Sequence, residues 1–338
     1  MTANWRRPPL VLLTVTLLLG VLLSLLVGRY PAPYVMSPAT LLRDGLARRL
    51  VLNLRLPRVL AACLLGMTLA ASGTVLQMLL RNPLVEPGFL GVSQGAAFGA
   101  ALCIVVLPRL GPLRGSRPLW VAASATLFAG IGLALSYAFA RRIRYGGYVL
   151  RLVLSGITVS AIFSSGVGVL KYLADPLSEL PDIVFWMLGG LWGVTWTDLR
   201  YLLPFVVLGL TVVLLMRWRL NLLSLDDDTS FSLGAEPGRE RALALLAAVS
   251  ATAAVVSVAG IVGWIGLLIP HVARRWVGAD ARAALPASLL LGGLFAMLCD
   301  DLARTLLAGE IPLGILASFL GAIWFLAMML RGGVRVHR

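Results

Sequence analysis

Charged residues other than arginine are scarce in this sequence. Of its 338 residues, 15 are acidic and two are histidine, and Lys171 is the only lysine. A nucleotide-binding P-loop, Gly-x-x-x-x-Gly-Lys-Ser/Thr, cannot be built around Lys171, because leucine precedes it and tyrosine follows it. The chain therefore does not cradle a nucleotide in that way, and any ATP hydrolysis that serves it must come from another polypeptide.

Cysteine and histidine are also too few and too scattered to indicate a metal or redox site. Cys63, Cys103 and Cys299 fall inside apolar segments, and their spacing matches no ligand motif. We expect them to be small buried residues. His271 and His337 lie far apart in the sequence, and no carboxylate, histidine or serine set converges by its spacing. We therefore expect neither a bound metal nor a catalytic centre.

Apolar residues, in contrast, make up 59% of the sequence, and the mean hydropathy is +0.92. These values are too high for a soluble domain of this length. About ten apolar runs are long enough to cross a bilayer core of ~30 Å, and lipid leaves the backbone no structure but helix. They are Leu10–Gly28, Val59–Leu80, Phe89–Leu107, Leu119–Ala140, Val149–Leu173, Leu199–Met216, Ala242–Val258, Ile261–Trp276, Leu285–Leu307 and Leu313–Leu330. We predict an all-α multi-pass membrane protein in which residues 1–338 form a single transmembrane domain.

The net charge of +14 results from 29 basic residues against 15 acidic ones. Most of the arginines lie between apolar runs, which is typical of membrane orientation signals and not of a nucleic-acid-binding face. An even number of spans places both termini on one side of the membrane. The distribution of arginines over the loops favours the cytosol for that side.

The most distinctive stretch runs from Arg55 to Gly99. Two apolar segments flank residues 82–88, Asn-Pro-Leu-Val-Glu-Pro-Gly, where each proline removes an amide donor and turns the preceding residue away from helix. Two other distinctive sequences, Gly-Trp-Ile-Gly-Leu-Leu-Ile-Pro-His-Val-Ala-Arg at residues 263–274 and Glu-Ile-Pro-Leu-Gly-Ile at residues 310–315, complete the pattern. This pattern resembles the FecCD-type permease subunits of ABC importers for iron chelates, haem and vitamin B12. The matching residues are Arg55-Leu56-Pro57-Arg58, Gly66, Ser72-Gly73, Gln77, Asn82-Pro83-Leu84, Glu86-Pro87-Gly88, Leu90-Gly91-Val92-Ser93 and Gly95-Ala96.

The resemblance implies a type II ABC importer permease in a prokaryotic inner or plasma membrane. In that family the permease is a transport subunit and not an enzyme, and two copies form a homodimer with the substrate passing between them. Two separate ATPase subunits bind ATP and Mg, and a substrate-binding protein docks on the outer face. Iron–siderophore is the first cargo that the family suggests, followed by haem and cobalamin and then by oxyanions such as molybdate.

Three outer arginines are the predicted docking residues. Arg55 and Arg58 stand three apart at the start of a helix, so we expect them to share one face and to point outward. The resemblance implies that they and Arg304 pair with carboxylates of the binding protein, and such rim pairs orient a partner. Anchoring to lipid head groups, with an Asp300–Arg304 pair inside one helix, is the alternative.

The loop at residues 219–240, the coupling segment, is predicted to lie in the cytosol. Ser224 could cap a short helix with three aspartates in its first turn, where the helix dipole favours carboxylates, and Gly234 could end that helix. In the family this position holds the coupling helix that sits on the ATPase, whereas a solvated loop is the alternative. The candidate coupling residues are Leu225, Asp226, Asp227, Asp228, Phe231, Leu233 and Gly234.

Two further segments are candidate gates. Asn82, Pro83 and Leu84 are the predicted cytosolic gate or hinge. Residues 174–190 are predicted to form a sharp turn and a half-helix on the outer face, which is the outer gate in the family. The candidate residues of that outer gate are Asp175, Pro176, Leu177 and Ser178.

An ion-coupled secondary transporter of a small solute is the alternative function. Such a protein would normally place ionisable residues near the middle of the membrane. In this sequence Lys171, Asp300, Asp301 and Arg304 all lie near the ends of apolar runs. The pattern therefore favours a permease that is driven by a separate ATPase.

Overall fold

The computed structural model of this protein describes residues 7–30, 35–110, 117–307 and 309–330. Within these ranges the backbone is almost wholly helical, and the β contact is an isolated antiparallel bridge between Val27 and Val35. The helices are α1 Arg7–Leu26, α2 Pro38–Arg43, α3 Gly45–Leu50, α4 Leu56–Leu79, α5 Val92–Val106, α6 Arg117–Arg142, α7 Tyr148–Leu173, α8 Glu179–Leu188, α9 Trp196–Leu215, α10 Arg217–Leu223, α11 Asp227–Ser232, α12 Pro237–Ala259, α13 Ile265–Val277, α14 Ala281–Thr305 and α15 Leu313–Leu330. The all-α prediction is confirmed.

Eight helices among the described residues are long and apolar enough to cross a membrane. One of them is continuous from Gly45 to Leu79, because a π-helical turn at Val51–Arg55 joins α3 to α4. The apolar part of α1, Leu10–Leu26, is shorter, and the 13 residues of α13 cover only about 20 Å. The count of ten spans therefore stays a prediction. So does the cytosolic placement of both termini, because residues 1–6 and 331–338 lie outside the described residues.

The predicted span at Ile261–Trp276 is wrong at its start, since α13 begins at Ile265. Gly260 and Trp264 both have left-handed backbones, with φ of 70° and 71°, which interrupts any helix across residues 260–264. The Glu86 carboxylate accepts a hydrogen bond from the Trp264 backbone N–H at 3.0 Å. The break between α4 and α5 is thus tied to the break between α12 and α13.

The core of the protein is built around α4, which packs against α9, α12, α13 and α14. A Cβ atom added to Gly66 would lie 2.0 Å from the carbonyl oxygen of Gly292 on α14, so only glycine fits at this crossing. A Cβ at Gly73 would lie 1.9 Å from the carbonyl oxygen of Gly266 on α13. Helices in lipid associate through such close backbone contacts. Small residues therefore place α4 at the centre of the bundle.

Gly95 and Gly99, four residues apart on α5, pack this helix closely against α6. A Cβ at Gly95 would lie 2.4 Å from the Phe128 carbonyl oxygen, and a Cβ at Gly99 would lie 2.5 Å from that of Ser124. Both carbonyls belong to α6, so glycines at this spacing bring the backbones of α5 and α6 into contact.

Candidate functional site

The outer arginines and the coupling segment lie at opposite ends of α4. Arg58 lies in the first turn of this helix, and Arg81 follows its end, where it contacts the coupling segment. Arg81 stands 23 positions after Arg58, which corresponds to about 34 Å of helix and is enough to cross a bilayer core. We refer to Arg55, Arg58 and Arg304 as the outer arginine cluster.

Arg58 is held by two carboxylates from other parts of the chain. Its Nε and Nη2 donate to Asp300 on α14 at 2.9–3.0 Å, and its Nη1 donates to Glu310 at 2.9 and 3.0 Å. The Asp300 side chain is 1% exposed and that of Glu310 is 36% exposed, so one partner is buried and the other faces solvent. The expectation that Arg58 points freely outward is wrong, because α14 supplies a carboxylate that a buried guanidinium requires.

Arg304 and Arg55 are also turned inward and hold the end of α1. Arg304 donates to the Ser24 carbonyl oxygen at 2.7 Å and pairs with Asp301, and its Nε lies 3.8 Å from Asp300. Arg55 donates to the carbonyl oxygens of Leu25 at 3.1 Å and Tyr30 at 2.5 Å. Both arginines are less than 10% exposed, so the predicted outward orientation of Arg55 is wrong as well. Both guanidinium groups donate hydrogen bonds inside the protein, as burial demands, although the buried Nε of Arg304 has no hydrogen-bond partner among the described residues.

A cavity of about 390 Å³ opens in front of the cluster. Arg29, Arg55, Arg58 and Arg304 line it together with Glu310 and residues 191–195. The concentration of guanidinium groups suits it to binding a carboxylate, which arginine recognises by paired hydrogen bonds. Arg58 presents its Glu310 side to this cavity, whereas Asp300 anchors its other side. Arg58 can therefore bind an external carboxylate if that carboxylate displaces Glu310.

At the other end of α4, the coupling segment forms a helical hairpin of α10 and α11. Asp226 caps α11 by accepting hydrogen bonds from the Thr229 N–H at 3.0 Å and the Thr229 hydroxyl at 2.7 Å. These hydrogen bonds lower the pKa of the Asp226 carboxyl below its ordinary value, with the hydroxyl contributing most. The prediction that Ser224 caps this helix is wrong, because Ser224 ends α10 and its hydroxyl donates to the Asn221 carbonyl.

The coupling segment displays apolar side chains and is fixed from behind. Phe231 is 72% exposed and Leu233 54% exposed, and Leu225 is also exposed. Behind them, the buried Arg241 of α12 donates to Asp227 at 2.6 Å and to the Leu223 carbonyl at 3.0 Å. An apolar tip on a fixed base has the form of a partner-binding surface.

The predicted gate at Asn82, Pro83 and Leu84 forms a tight turn directly after α4. The Asn82 side chain accepts from the Leu84 N–H at 2.9 Å, and the Asn82 N–H donates to the Gln77 carbonyl at 3.2 Å. Arg81, which precedes the turn, has a left-handed backbone and donates to the Leu225 carbonyl of the coupling segment. The turn therefore joins the central helix to the coupling segment, although its role as a gate stays a prediction.

The predicted outer gate contains a tight turn followed by the ten-residue helix α8. Asp175 accepts from the Leu177 N–H at 2.7 Å, and its own N–H donates to Glu179 at 3.0 Å. Pro176 and Ser178 complete the turn, and Leu177 at its tip is 92% exposed. The turn and half-helix therefore form as the sequence pattern predicts, whereas opening and closing of this segment stay predictions.

Comparison with known proteins identifies the family. The model of the FecCD transport family matches residues 16–331. The chain belongs to the FecCD transport family. It is 36% identical to the molybdate import system permease protein MolB of Haemophilus influenzae, over 93% of this chain and 92% of the relative. It is 39% identical to the hemin transport system permease protein HmuU of Yersinia pestis, over 83% of each chain.

A solved structure shares the fold along nearly the whole chain. That structure is an inward-facing conformation of a metal-chelate type ABC transporter, with a TM-score of 0.86 and 35% sequence identity, covering 96% of this chain and 99% of the other. This FecCD member is therefore a multi-pass transport permease of the bacterial inner membrane, and its family is not one of catalytic enzymes.

The partners that fix the outer arginines come from distant parts of the chain, so no local pattern in the sequence reveals them. The alternative pair of Asp300 with Arg304 is present at 3.8 Å, but the closer contact of Asp300 is Arg58, 242 positions away in sequence. Glu310 belongs to the motif at residues 310–315, which is the one signal for it in the sequence. In the described part of the chain, no three His, Cys, Asp or Glu side chains come together to hold a metal ion, and the three cysteines are free and buried.

Proposed function

We propose that this chain is the membrane-spanning subunit of an ATP-driven importer, with a substrate-binding protein docking at one end and an ATPase at the other. The observation that supports this most strongly is the placement of two different surfaces at opposite ends of α4. One surface is a cavity lined by arginines, and the other is an exposed apolar tip. A single buried helix therefore connects a cavity that suits an acidic partner to an apolar tip that suits a groove on a second partner.

Docking would exchange one carboxylate for another at Arg58. Glu310 is the half-exposed partner of Arg58, so a carboxylate of the binding protein could displace it while Asp300 remains in place. Glu310 stands three residues before α15, and the Gly314 N–H at the start of α15 donates to the Gly189 carbonyl at 3.3 Å. Gly189 ends α8, so a movement of the chain at Glu310 would also move α8 in the outer gate.

A substitution of Glu310 tests this docking model. Glu310→Gln keeps the shape of the side chain but removes the internal competitor, so the binding protein should dock up to about five-fold more tightly, the worth of one half-exposed ion pair. The affinity would be measured by surface plasmon resonance on the permease complex in nanodiscs. Glu236→Gln removes an exposed carboxylate at the opposite end of the bundle and is a control that should leave the affinity unchanged. Weaker docking of the Glu310→Gln variant would contradict the exchange.

A second copy would cover the apolar faces of α7 and α15. Ile315, Phe319 and Ile323 stand four residues apart on α15 and are all exposed, as are Ile162 and Val169 on α7. Residues at this spacing form one stripe along a helix. Because α15 also contacts α8, we propose that two such surfaces face each other and that the cargo passes between them. Cysteines placed at Phe319 should then cross-link two copies, whereas cysteines at Leu208, an exposed residue of α9, should not.

We propose an iron chelate, such as a ferric siderophore, or haem as the cargo. The hemin and Fe(3+) dicitrate permeases among the relatives support this class, the latter being 38% identical over 85% of this chain. ATP-dependent uptake of a radioactive ferric siderophore, haem, cobalamin and molybdate by the complete complex in proteoliposomes would test the proposal. Uptake of the siderophore or haem is expected, and uptake of molybdate or cobalamin alone would contradict it.

A further inference from the structure

A groove runs along the membrane-facing side of the protein between α6, α9 and α12. Its volume is about 360 Å³, and nearly all of its lining is apolar, including Ala134 of α6, Phe205 of α9 and Val249 of α12. All three helices are long enough to cross a membrane. The groove therefore lies at the depth of the lipid acyl chains.

Small residues keep this groove open. A Cβ added to Gly130 on α6 would meet no atom within 4 Å, so α6 stands away from its neighbours at this point. In contrast, Gly209 holds α9 against α12, because a Cβ there would lie 2.5 Å from the Ala247 carbonyl oxygen. A hydrogen bond of 3.1 Å between the Tyr201 and Thr126 hydroxyls joins α9 to α6 and closes one end of the groove.

The length of the groove corresponds to one leaflet of a bilayer. From Thr126 at the closed end to Tyr137 at the open end, α6 advances 11 residues, or about 16 Å. This is half of a hydrocarbon core of ~30 Å. The groove can thus take a single acyl chain that enters from one side of the membrane.

Arginines stand at the open end. Tyr137 lines the groove, and the Arg141 guanidinium, one helical turn further on, lies 5.9 Å from the centre of the Tyr137 ring. Arg141 is exposed, Arg142 and Arg144 follow it, and residues 138–148 contain no acidic residue. On α12 the groove reaches Ala242, so this end lies beside the coupling segment.

We propose that this groove binds an anionic phospholipid, with an acyl chain between α6, α9 and α12 and the phosphate at Arg141. An acyl chain gains little by leaving other acyl chains for an apolar groove, so the groove by itself would not select a lipid. Selection comes from the net charge of the head group. A guanidinium binds the phosphate through paired charged hydrogen bonds, and an anionic lipid has no choline cation to offset the charge of that phosphate. The proposal holds for any cargo, since it uses neither the outer arginine cluster nor the proposed path between two copies.

Native mass spectrometry of the full-length chain, with phosphatidylglycerol and phosphatidylcholine of identical acyl chains, tests the charge requirement. The wild type should bind phosphatidylglycerol about five-fold more than phosphatidylcholine, the effect of one arginine at a membrane surface. Arg141→Gln should abolish this preference. Arg200→Gln removes an exposed arginine at the other end of the bundle and should keep it. An unchanged preference in Arg141→Gln would overturn the proposal.

A second variant tests the groove itself. Gly130→Leu fills the open space without a clash at Cβ, so the protein should fold normally and retain less of either lipid. Lipid retention equal to that of the wild type would place the lipid elsewhere and overturn the proposal. Conversion of a dimer to monomers by Gly130→Leu would show that a second copy occupies the groove, which also overturns it.

Discussion

Phe231 offers the sharpest test of the proposed ATPase surface. Its side chain is 72% exposed at the tip of α11 and makes no described ring contact, so its removal should leave the fold of the permease unchanged. Complete burial of a phenylalanine contributes roughly 1.5–3 kcal/mol. If the ATPase buries this side chain, Phe231→Ala should weaken the association by about 2 kcal/mol, or about 30-fold in Kd.

The assay is titration of the cognate ATPase subunit onto the permease in nanodiscs, followed by microscale thermophoresis. Leu177→Ala is a matched control, because Leu177 is an apolar residue that is 92% exposed and lies on the predicted outer face. This control should leave the Kd unchanged. A change of less than about three-fold for Phe231→Ala would refute the reasoning, since so small a loss is below the value of one buried aromatic side chain.

Three further substitutions test the contacts that hold the outer arginines, the coupling segment and the helix bundle in place. Arg58→Gln leaves Asp300 buried without its main cation, so the thermal stability in detergent should fall in line with a loss of about 3–5 kcal/mol. Arg241→Met removes the side chain that donates hydrogen bonds to Asp227 and to the Leu223 carbonyl oxygen. Amide hydrogen exchange across residues 226–234 should therefore become faster, while the transmembrane helices keep their protection. Gly95→Leu should prevent α5 from packing on α6 and abolish the folded protein in a fluorescence-detected size-exclusion assay, whereas Gly130→Ala, which meets open space, should not.

Much of the fold could be predicted from sequence, because lipid imposes a strict rule on the backbone. Long apolar runs must be helical, and prolines and glycines at residues 82–88 must end a helix. Glycines four residues apart, as at Gly95 and Gly99, indicate close helix packing. These are local properties, and the structure agrees with them.

Contacts between distant parts of the chain could not be predicted in the same way. The orientation of Arg58 depends on Asp300 and Glu310, which stand 242 and 252 positions away, and no spacing rule connects them. The start of α13 depends on Glu86, which accepts the Trp264 N–H across the protein. The sequence also allows Ser224 to cap α11 in place of Asp226, because both are good capping residues and only the backbone decides between them.

We propose that this permease has no energy source of its own and works between two partners. Transport by proteoliposomes that contain the purified chain, with and without its ATPase and binding protein, tests this claim most directly. We predict uptake of the cargo only when both partners and ATP are present. Uphill uptake by the chain alone, driven by a proton or sodium gradient, would contradict the account.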